Sequence, residues 1–446
     1  MATIIDSGDL NRYEVIKMSP YNDAPTNVAI TGQPISVTTD PGTGTKSAAL
    51  DAFGRLRVSN PTTLFDSSHR YHDNGLWNTL TASGGAATFN ANQGLVDLTV
   101  TTTSGSKVYR ETTKVFSYQP GKSLLVMTTF VLNPAKANLW QRIGYYGASN
   151  GIYLELDGAG GNVLSFVERS SVSGSLAETK VVQSSWNYDK MDGTGPSGVT
   201  LDITKAQILW MDIEWLGLGT VRMGFVIDGK FILCHQFHHA NLITSTYIAT
   251  ASLPLRYEIE NTGTTASNST LKQICSTVLS EGGYELRGLQ QGIGTPITSP
   301  TSLTTAGTYY PIISLRLKTS PDNTDAVVIL TALSIMGITN NANYNWRVVA
   351  TGTTTGGTWT SAGTNSAVEY NLTGTSFSGG RILAQGYSSA SNQAVTAVDI
   401  LKEALFKFQL ERNGFTLVPD ELTLVAAGSA TNASIHASMD WEEVSR

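Results

Sequence analysis

Between Gln207 and Phe237 the chain alternates between apolar runs and glycine-bearing breaks. The runs are Gln207–Trp215, Thr220–Ile227 and Lys230–Phe237, rich in β-branched and aromatic residues. Asp228-Gly229 separates the last two, and a two-residue turn with positive φ at both positions joins adjacent antiparallel strands. Leu216-Gly217-Leu218-Gly219 supplies the other turn. The pattern predicts a three-strand meander.

The same rhythm extends to either side. Ala87–Asn92 and Leu95–Thr101 read as a hairpin, followed by runs at Lys107–Phe116, Ser123–Leu132, Gln141–Tyr146, Ile152–Asp157, Val163–Arg169, Thr179–Gln183 and Tyr247–Glu260. Short strands at this spacing predict a β-sandwich of jelly-roll or lectin-like type over residues 61–287. Residues 288–310 are dense in Gly, Thr, Ser and Pro and read as a linker. A second β-sandwich is expected over 311–446, from runs at Ile312–Leu317, Ala326–Met336, Asn345–Thr351, Ala367–Leu372 and Leu422–Ala426. In Ser434–Glu442, Ile435, Ala437, Met439 and Trp441 share one face of a strand. Val398–Arg412 fits both a helix and a strand, and we read a short turn, then a strand from about Ala404.

Residues 1–60 break the rhythm. Pro20, Pro25, Pro34 and Pro41 interrupt them, and no run is long enough for a core. They read as an extended arm that orders against a partner or another subunit, with Tyr13, Ile16, Tyr21, Phe53, Arg55 and Arg57 as candidate anchoring residues, and the alternative is a disordered tail.

Composition narrows the function classes. The 446 residues suffice for large cores without metal or disulfide staples. Charged residues make up 14% against about 25% in ordinary soluble proteins. Such a surface suits a chain largely covered by other chains or one that is inert. The net charge of −6 and the lack of a Lys/Arg run argue against nucleic acid as a partner. Cys234 and Cys275 form no disulfide framework. The N-terminus lacks the features of a signal peptide, and Leu124–Leu132, the longest apolar stretch, is too short for a membrane helix. Synthesis in a cytoplasm without membrane insertion is expected.

No motif yields a convincing reactive centre. Gly147-Ala-Ser-Asn-Gly151 matches the nucleophile-elbow pattern, but the strand-like Ile152–Leu156 follows it where a helix is needed. Cys234, His235, His238 and His239 are the densest candidate metal ligands, yet no C-x-x-C or H-E-x-x-H accompanies them. Asp189, Asp192 and Asp202 flank a glycine-rich loop without EF-hand spacing. Catalytic residues, metal and cofactor are therefore all expected to be absent, and the chain is expected not to be an enzyme. Trp140, Tyr145, Tyr146, Trp186 and Tyr188 cluster near loops; they read first as core or subunit packing and are also candidates for glycan binding.

Leu50-Asp-Ala-Phe-Gly-Arg-Leu-Arg-Val-Ser59 and Thr63-Leu-Phe-Asp-Ser67 resemble the N-terminal signature of a group of tailed-bacteriophage virion proteins, common in phages of aquatic bacteria. Asp202–Leu209, Trp215-Leu-Gly, Gly224-Phe-Val-Ile-Asp-Gly229, His235–Asn241 and Leu253–Asn261 resemble the same group. The resemblance spans residues 47–290, with a weaker likeness at Pro311–Leu317 and near the C-terminus. It implies a structural component of a virion, made in the host cytoplasm, without indicating capsid, tail or baseplate. The leading expectation is a non-enzymatic, fibre-like or decorating homo-oligomer, taken as a trimer, whose arm holds other virion proteins. The alternative is a host-surface carbohydrate-binding adhesin, and a third is a polysaccharide depolymerase.

Overall fold

The computed structural model describes residues 61–285, 287–320, 324–390 and 408–445, together with the backbone of two short paired strands, Thr39–Asp40 and Gly44–Thr45. The arm's six candidate anchoring residues lie outside the described residues. Met1–Val58 and Ser59–Arg446 are separate compact units. The larger unit is all-β. Its one helical piece among the described residues is a 3-10 turn at Gln183–Ser185.

Two sheets pack face to face around one core that runs from Phe65 to Val278. The first has seven antiparallel strands in the order Ala177–Val182, Val163–Ser170, Gly151–Asp157, Leu139–Tyr146, Leu255–Asn261, Lys107–Thr112 and Trp77–Ala82. The second runs Lys230–Phe237, Val221–Ile227, Gln207–Ile213, Leu124–Val131, Ser269–Ser280, Leu95–Val100 and Ala86–Asn90, with Thr62–Ser68 also paired to Ser269–Ser280. The predicted meander is the start of this second sheet. Ile227 pairs with Lys230 across Asp228 (φ 51°) and Gly229 (φ 73°), the positive-φ pair that a tight hairpin requires. A bulge lies between Met223 and Gly224, where a Cβ on Gly224 would run into the Ile232 carbonyl.

A second core runs from Leu303 to Trp441. One of its sheets has six strands in the order Thr360–Ser361, Val368–Asn371, Tyr310–Leu317, Glu421–Gly428, Asn343–Thr355 and Ser376–Ser389. The other is organised by the long strand Ala433–Ser445, which pairs with Val327–Gly337 on one side and with Leu289–Gly294 and Thr301–Leu303 on the other. Ile435, Ala437, Met439 and Trp441 all enter this core, as their alternation predicts. Residues 288–310 are thus not a linker, because two of their segments are hydrogen-bonded strands of that sheet. Their Gly/Thr-rich sequences look like loop, and the partner that makes them strands lies far along the chain. Of the ambiguous stretch 398–412, residues up to 407 lie outside the described residues.

The two sandwiches meet through a hairpin that pairs Arg412–Asn413 with Val418–Pro419. Arg412 donates to the Thr112 carbonyl (2.9 Å) and to Glu111 Oε1 (2.8 Å), and its own carbonyl accepts from Asn78 Nδ2 (2.8 Å). Gln409 Nε2 donates to the Val115 carbonyl at 3.1 Å, beside a small apolar cluster of Val115, Val327 and Ile329. Arg412 and Glu111 are both buried, so removing one leaves the other charge short of a partner. Arg412→Met should destabilise the protein by about 3 kcal/mol and split one calorimetric transition into two. An unchanged single transition would show that the hairpin does not couple the sandwiches.

Candidate functional site

Alternation along each strand of the seven-stranded sheet sends apolar side chains inward and a second set outward. In Leu139–Tyr146 the inward residues include Leu139, Ile143 and Tyr145, while Trp140, Arg142 and Tyr146 face away from the core. Register then places Arg142 opposite Glu155 on one side and opposite Glu258 on the other. The same rule brings Tyr109, Glu111, Tyr153, Asp157, Arg169, Glu178, Lys180, Arg256 and Glu260 to this face.

These groups form one chain of alternating charge across the strands. Arg412 meets Glu111 at 2.8 Å, and Glu111 meets Arg256 at 3.3 Å. Arg256 meets Glu258 at 2.7 Å, and Glu258 meets Arg142 at 3.5 Å. Arg142 meets Glu155 at 2.6 Å, and Glu155 meets Lys180 at 2.5 Å. Lys180 also reaches Asp157 (3.6 Å) and Glu178 (3.5 Å), and Glu178 binds Arg169 at 2.8 Å. Tyrosines fill the spaces: Tyr146 and Tyr153 rings lie 4.5 Å apart, and the Tyr153 hydroxyl donates to Glu178 Oε1 at 2.7 Å. Tyr109 donates to Glu260.

Burial and pairing compete in setting the titration of these groups. Burial raises the Glu111 carboxyl above its usual range, although Arg412 and Arg256 pull it down. Burial also pushes up Glu178, but hydrogen bonds from Tyr153 and Arg169 prevail and hold its carboxyl low. For Arg142, burial works against the charge, and Glu155 and Glu258 outweigh it.

The face is closed at one end and open at the other. Phe415 of the hairpin packs over Tyr109 and Arg256, and Gly414 sits against Glu111. At the other end Lys180 keeps 33% of its side chain exposed and Trp140 is half-buried. Trp140 Nε1 donates to Asp157 Oδ1 at 2.6 Å, and the Arg142 guanidinium lies 4.3 Å from its ring centroid. The indole is therefore fixed in place by Asp157 and Arg142, and Asp157 is in turn met by Lys180 at 3.6 Å.

The five aromatics singled out from the sequence do not converge. Tyr145 is buried, donating to the Phe116 carbonyl (2.5 Å) and the Ala251 carbonyl (2.6 Å). Trp186 is buried and stacks on Phe166 at 4.3 Å. Neither is open to a ligand, and neighbours in sequence along a strand point to opposite faces. Tyr146 belongs to the charged face but is buried within it. Tyr188 is exposed and hydrogen-bonds Gln236 of the other sheet at 2.8 Å. Trp140 alone of the five stands at the open end. The charged residues were missed because each lies in a different strand. Their signal was a charge at every second position inside otherwise apolar runs.

The remaining motifs have structural roles. Gly147 and Asn150 close a tight turn between strands, so Ser149 lies in a loop. Asp189 accepts from the Met191 and Ser197 amides, and Asp192 and Asp202 each cap a turn through Thr194 and Thr204. Cys234 is buried with its thiol pushed up to about 12 by burial, then by Asp189. His239 bridges the Gly219 carbonyl and Glu168, 2.7 Å from each, and stacks on Tyr247. His235 Nδ1 accepts from the Asn187 amide. Among the described residues no group of three or more His, Cys, Asp or Glu could hold a metal ion.

No protein-family model matches the chain, and no curated protein matches it in sequence. Solved structures match about half of it. They include the Emp47p carbohydrate recognition domain (13% identity, TM-score 0.31, covering 50% of this chain and 98% of that one). A GH16 from the Bacteroides ovatus mixed linkage glucan locus matches at 9% identity and TM-score 0.34, covering 48% of this chain and 99% of that one. A β-1,3-glucanase from Mycobacterium marinum matches at 9% and 0.33, covering 49% and 98%. The CBM2 module of the evolved Dit of Lactobacillus casei BL23 phage J-1 matches at 6% and 0.34, covering 50% and 98%. At these identities the likeness is one of architecture. The sequence-based expectation that the chain is not an enzyme is corrected by these matches, since they include glycoside hydrolases, and it is withdrawn.

Two buried histidines set a pH dependence. Burial lowers His69 to about 4, with Arg110 adding to the effect and Asp73 opposing it. Burial, then His238, lowers His235 to about 4. Both are neutral when folded, whereas the unfolded chain takes up protons below about 6.5. Stability is therefore lost as pH falls from 6.5 towards 4, by on the order of 1–2 kcal/mol per histidine at pH 5. The difference in melting temperature between pH 7.5 and pH 5 should shrink in His69→Gln/His235→Gln. An identical difference in wild type and variant would count against this origin.

Proposed function

We propose that this chain is a glycan-recognising component of a bacteriophage particle, binding sugar at the open end of the charged face. The carrying observation is the Trp140 indole, half-buried and locked between Asp157 and Arg142, with Lys180 reaching the same Asp157 at 3.6 Å. An aromatic ring offers a flat apolar surface to the C–H face of a sugar, while pre-placed carboxylate and ammonium groups bind its hydroxyls. Because the ion pairs already fix these side chains, little conformational entropy is lost on binding. Of the comparison structures, one is described as recognising carbohydrate and another comes from a phage. The reading stands on Trp140 and its neighbours rather than on them.

The particle setting follows from the sequence resemblance. In this reading residues 1–60 anchor a homo-oligomer to other virion proteins, and the β-sandwiches project. A particle made with residues 1–45 deleted from this chain should lack it, although the purified truncated protein still melts cooperatively. Incorporation at the wild-type level would remove the anchor from the proposal.

Binding is tested on an array of bacterial surface polysaccharides. Trp140→Ala should weaken any hit by about tenfold, the scale of one stacking contact, and Tyr188→Ala, in the loop against Gln236, should not. An array without hits, or equal binding by Trp140→Ala, would sink the glycan reading. Release of reducing ends from the bound glycan would turn it into a hydrolase reading.

A further inference from the structure

The second sandwich presents a different surface. The edge strand Ser376–Ser389 pairs with Asn343–Thr355 so that Tyr387 lies opposite Asn345 and Gln385 opposite Arg347. Tyr344, Trp346 and Val348 fill the core, so Asn345 and Arg347 alternate to the outer face. Tyr387 and Gln385 share that face with them. Tyr309 closes one side: its hydroxyl donates to Asn345 Oδ1, and the Arg347 guanidinium lies 4.0 Å from its ring centroid. Asn345 Nδ2 donates to the Gly386 carbonyl at 3.1 Å, which fixes the amide.

Two features of this surface point to a ligand. Tyr387 is 77% exposed on the edge strand Ser376–Ser389. Arg347 is half-buried, has no carboxylate partner among the described residues, and leaves a buried Nε without a hydrogen-bond acceptor. Arg110, Arg142, Arg169, Arg222, Arg256, Arg316 and Arg412, by contrast, each meet a carboxylate. A partly desolvated guanidinium with an open donor favours a carboxylate over a neutral acceptor.

We infer that the face formed by Tyr387, Gln385, Asn345, Arg347 and Tyr309 is a second glycan site, selective for acidic sugars. A uronate ring stacks on Tyr387, its carboxylate meets Arg347, and its hydroxyls meet the Gln385 amide. The inference shares with the proposed function only carbohydrate as the ligand, since the residues, the sandwich and the charge preference all differ.

The test is isothermal titration of the full chain with tetragalacturonate and with neutral maltotetraose. Tetragalacturonate should bind, and maltotetraose should bind at least about tenfold more weakly, the scale of one charge-assisted contact. Tyr387→Ala and Arg347→Gln should each weaken tetragalacturonate by about tenfold or more. Arg347→Lys, which keeps the charge and loses the fork, should fall between Arg347→Gln and wild type. Trp140→Ala should leave this binding intact. Equal binding of the two tetrasaccharides, no binding of tetragalacturonate, or unchanged binding in both variants would overturn the inference. So would loss of an oligomer in Tyr387→Ala by light scattering, which would make this face a subunit contact. Binding lost with Trp140→Ala but kept with Tyr387→Ala would overturn this inference alone and leave the Trp140 reading standing. The reverse pattern would support this inference and remove the other.

Discussion

The chain of ion pairs from Arg412 to Arg169 is the constraint on which the rest of the structure depends. A single charge buried without a counter-ion costs several kcal/mol. Here Glu111, Glu258 and Glu155 each lie between two cations, at least one of them from another strand, so the cost is met only when those strands are in register. A slip of one residue would send Arg142, Glu155 and Glu258 into the core and bring Leu154 and Ile259 out. Both faces of the sheet therefore enforce the same pairing, one by apolar burial and the other by charge balance. The second sandwich takes part in that balance, because its Arg412 supplies the cation at the end of the chain.

Much of this fold was legible in local pattern. Asp228-Gly229 marked its turn through a φ requirement, and the alternation of Ile435, Ala437, Met439 and Trp441 marked a core strand. What was not legible depended on distant partners. Leu289–Gly294 is a strand only because Gln290 and Gln291 pair with Glu442 and Trp441. Ser376–Ser389 was missed because Gly379 and Gly380, both at positive φ, break its pattern, and because an edge strand needs no continuous apolar face. The candidate site failed for a related reason. Grouping aromatics by nearness in sequence joined Tyr145 to Tyr146, which a pleated strand separates, whereas Arg142, Glu155 and Glu258 meet only through pairing.

The two sandwiches hold their surface aromatics in different ways. Around Trp140 the neighbours Asp157 and Arg142 are charged and themselves ion-paired, so the ring is held in place. Around Tyr387 the neighbours are amides and a guanidinium with no carboxylate partner among the described residues, so the ring is held less tightly.

The strand Ala433–Ser445 lies between its partners rather than at an edge of its sheet. Gly288 donates to Glu442, 154 residues further along. During synthesis, Leu289–Gly294 and Val327–Gly337 therefore emerge long before the strand that joins them, and their apolar faces must wait for it. The first sandwich, whose strands all lie before Glu281, has no such delay. The order of folding on the ribosome is thus written into the topology: the first half can fold early, while the second stays open, and exposed to mispairing with other nascent chains, until the last strand arrives.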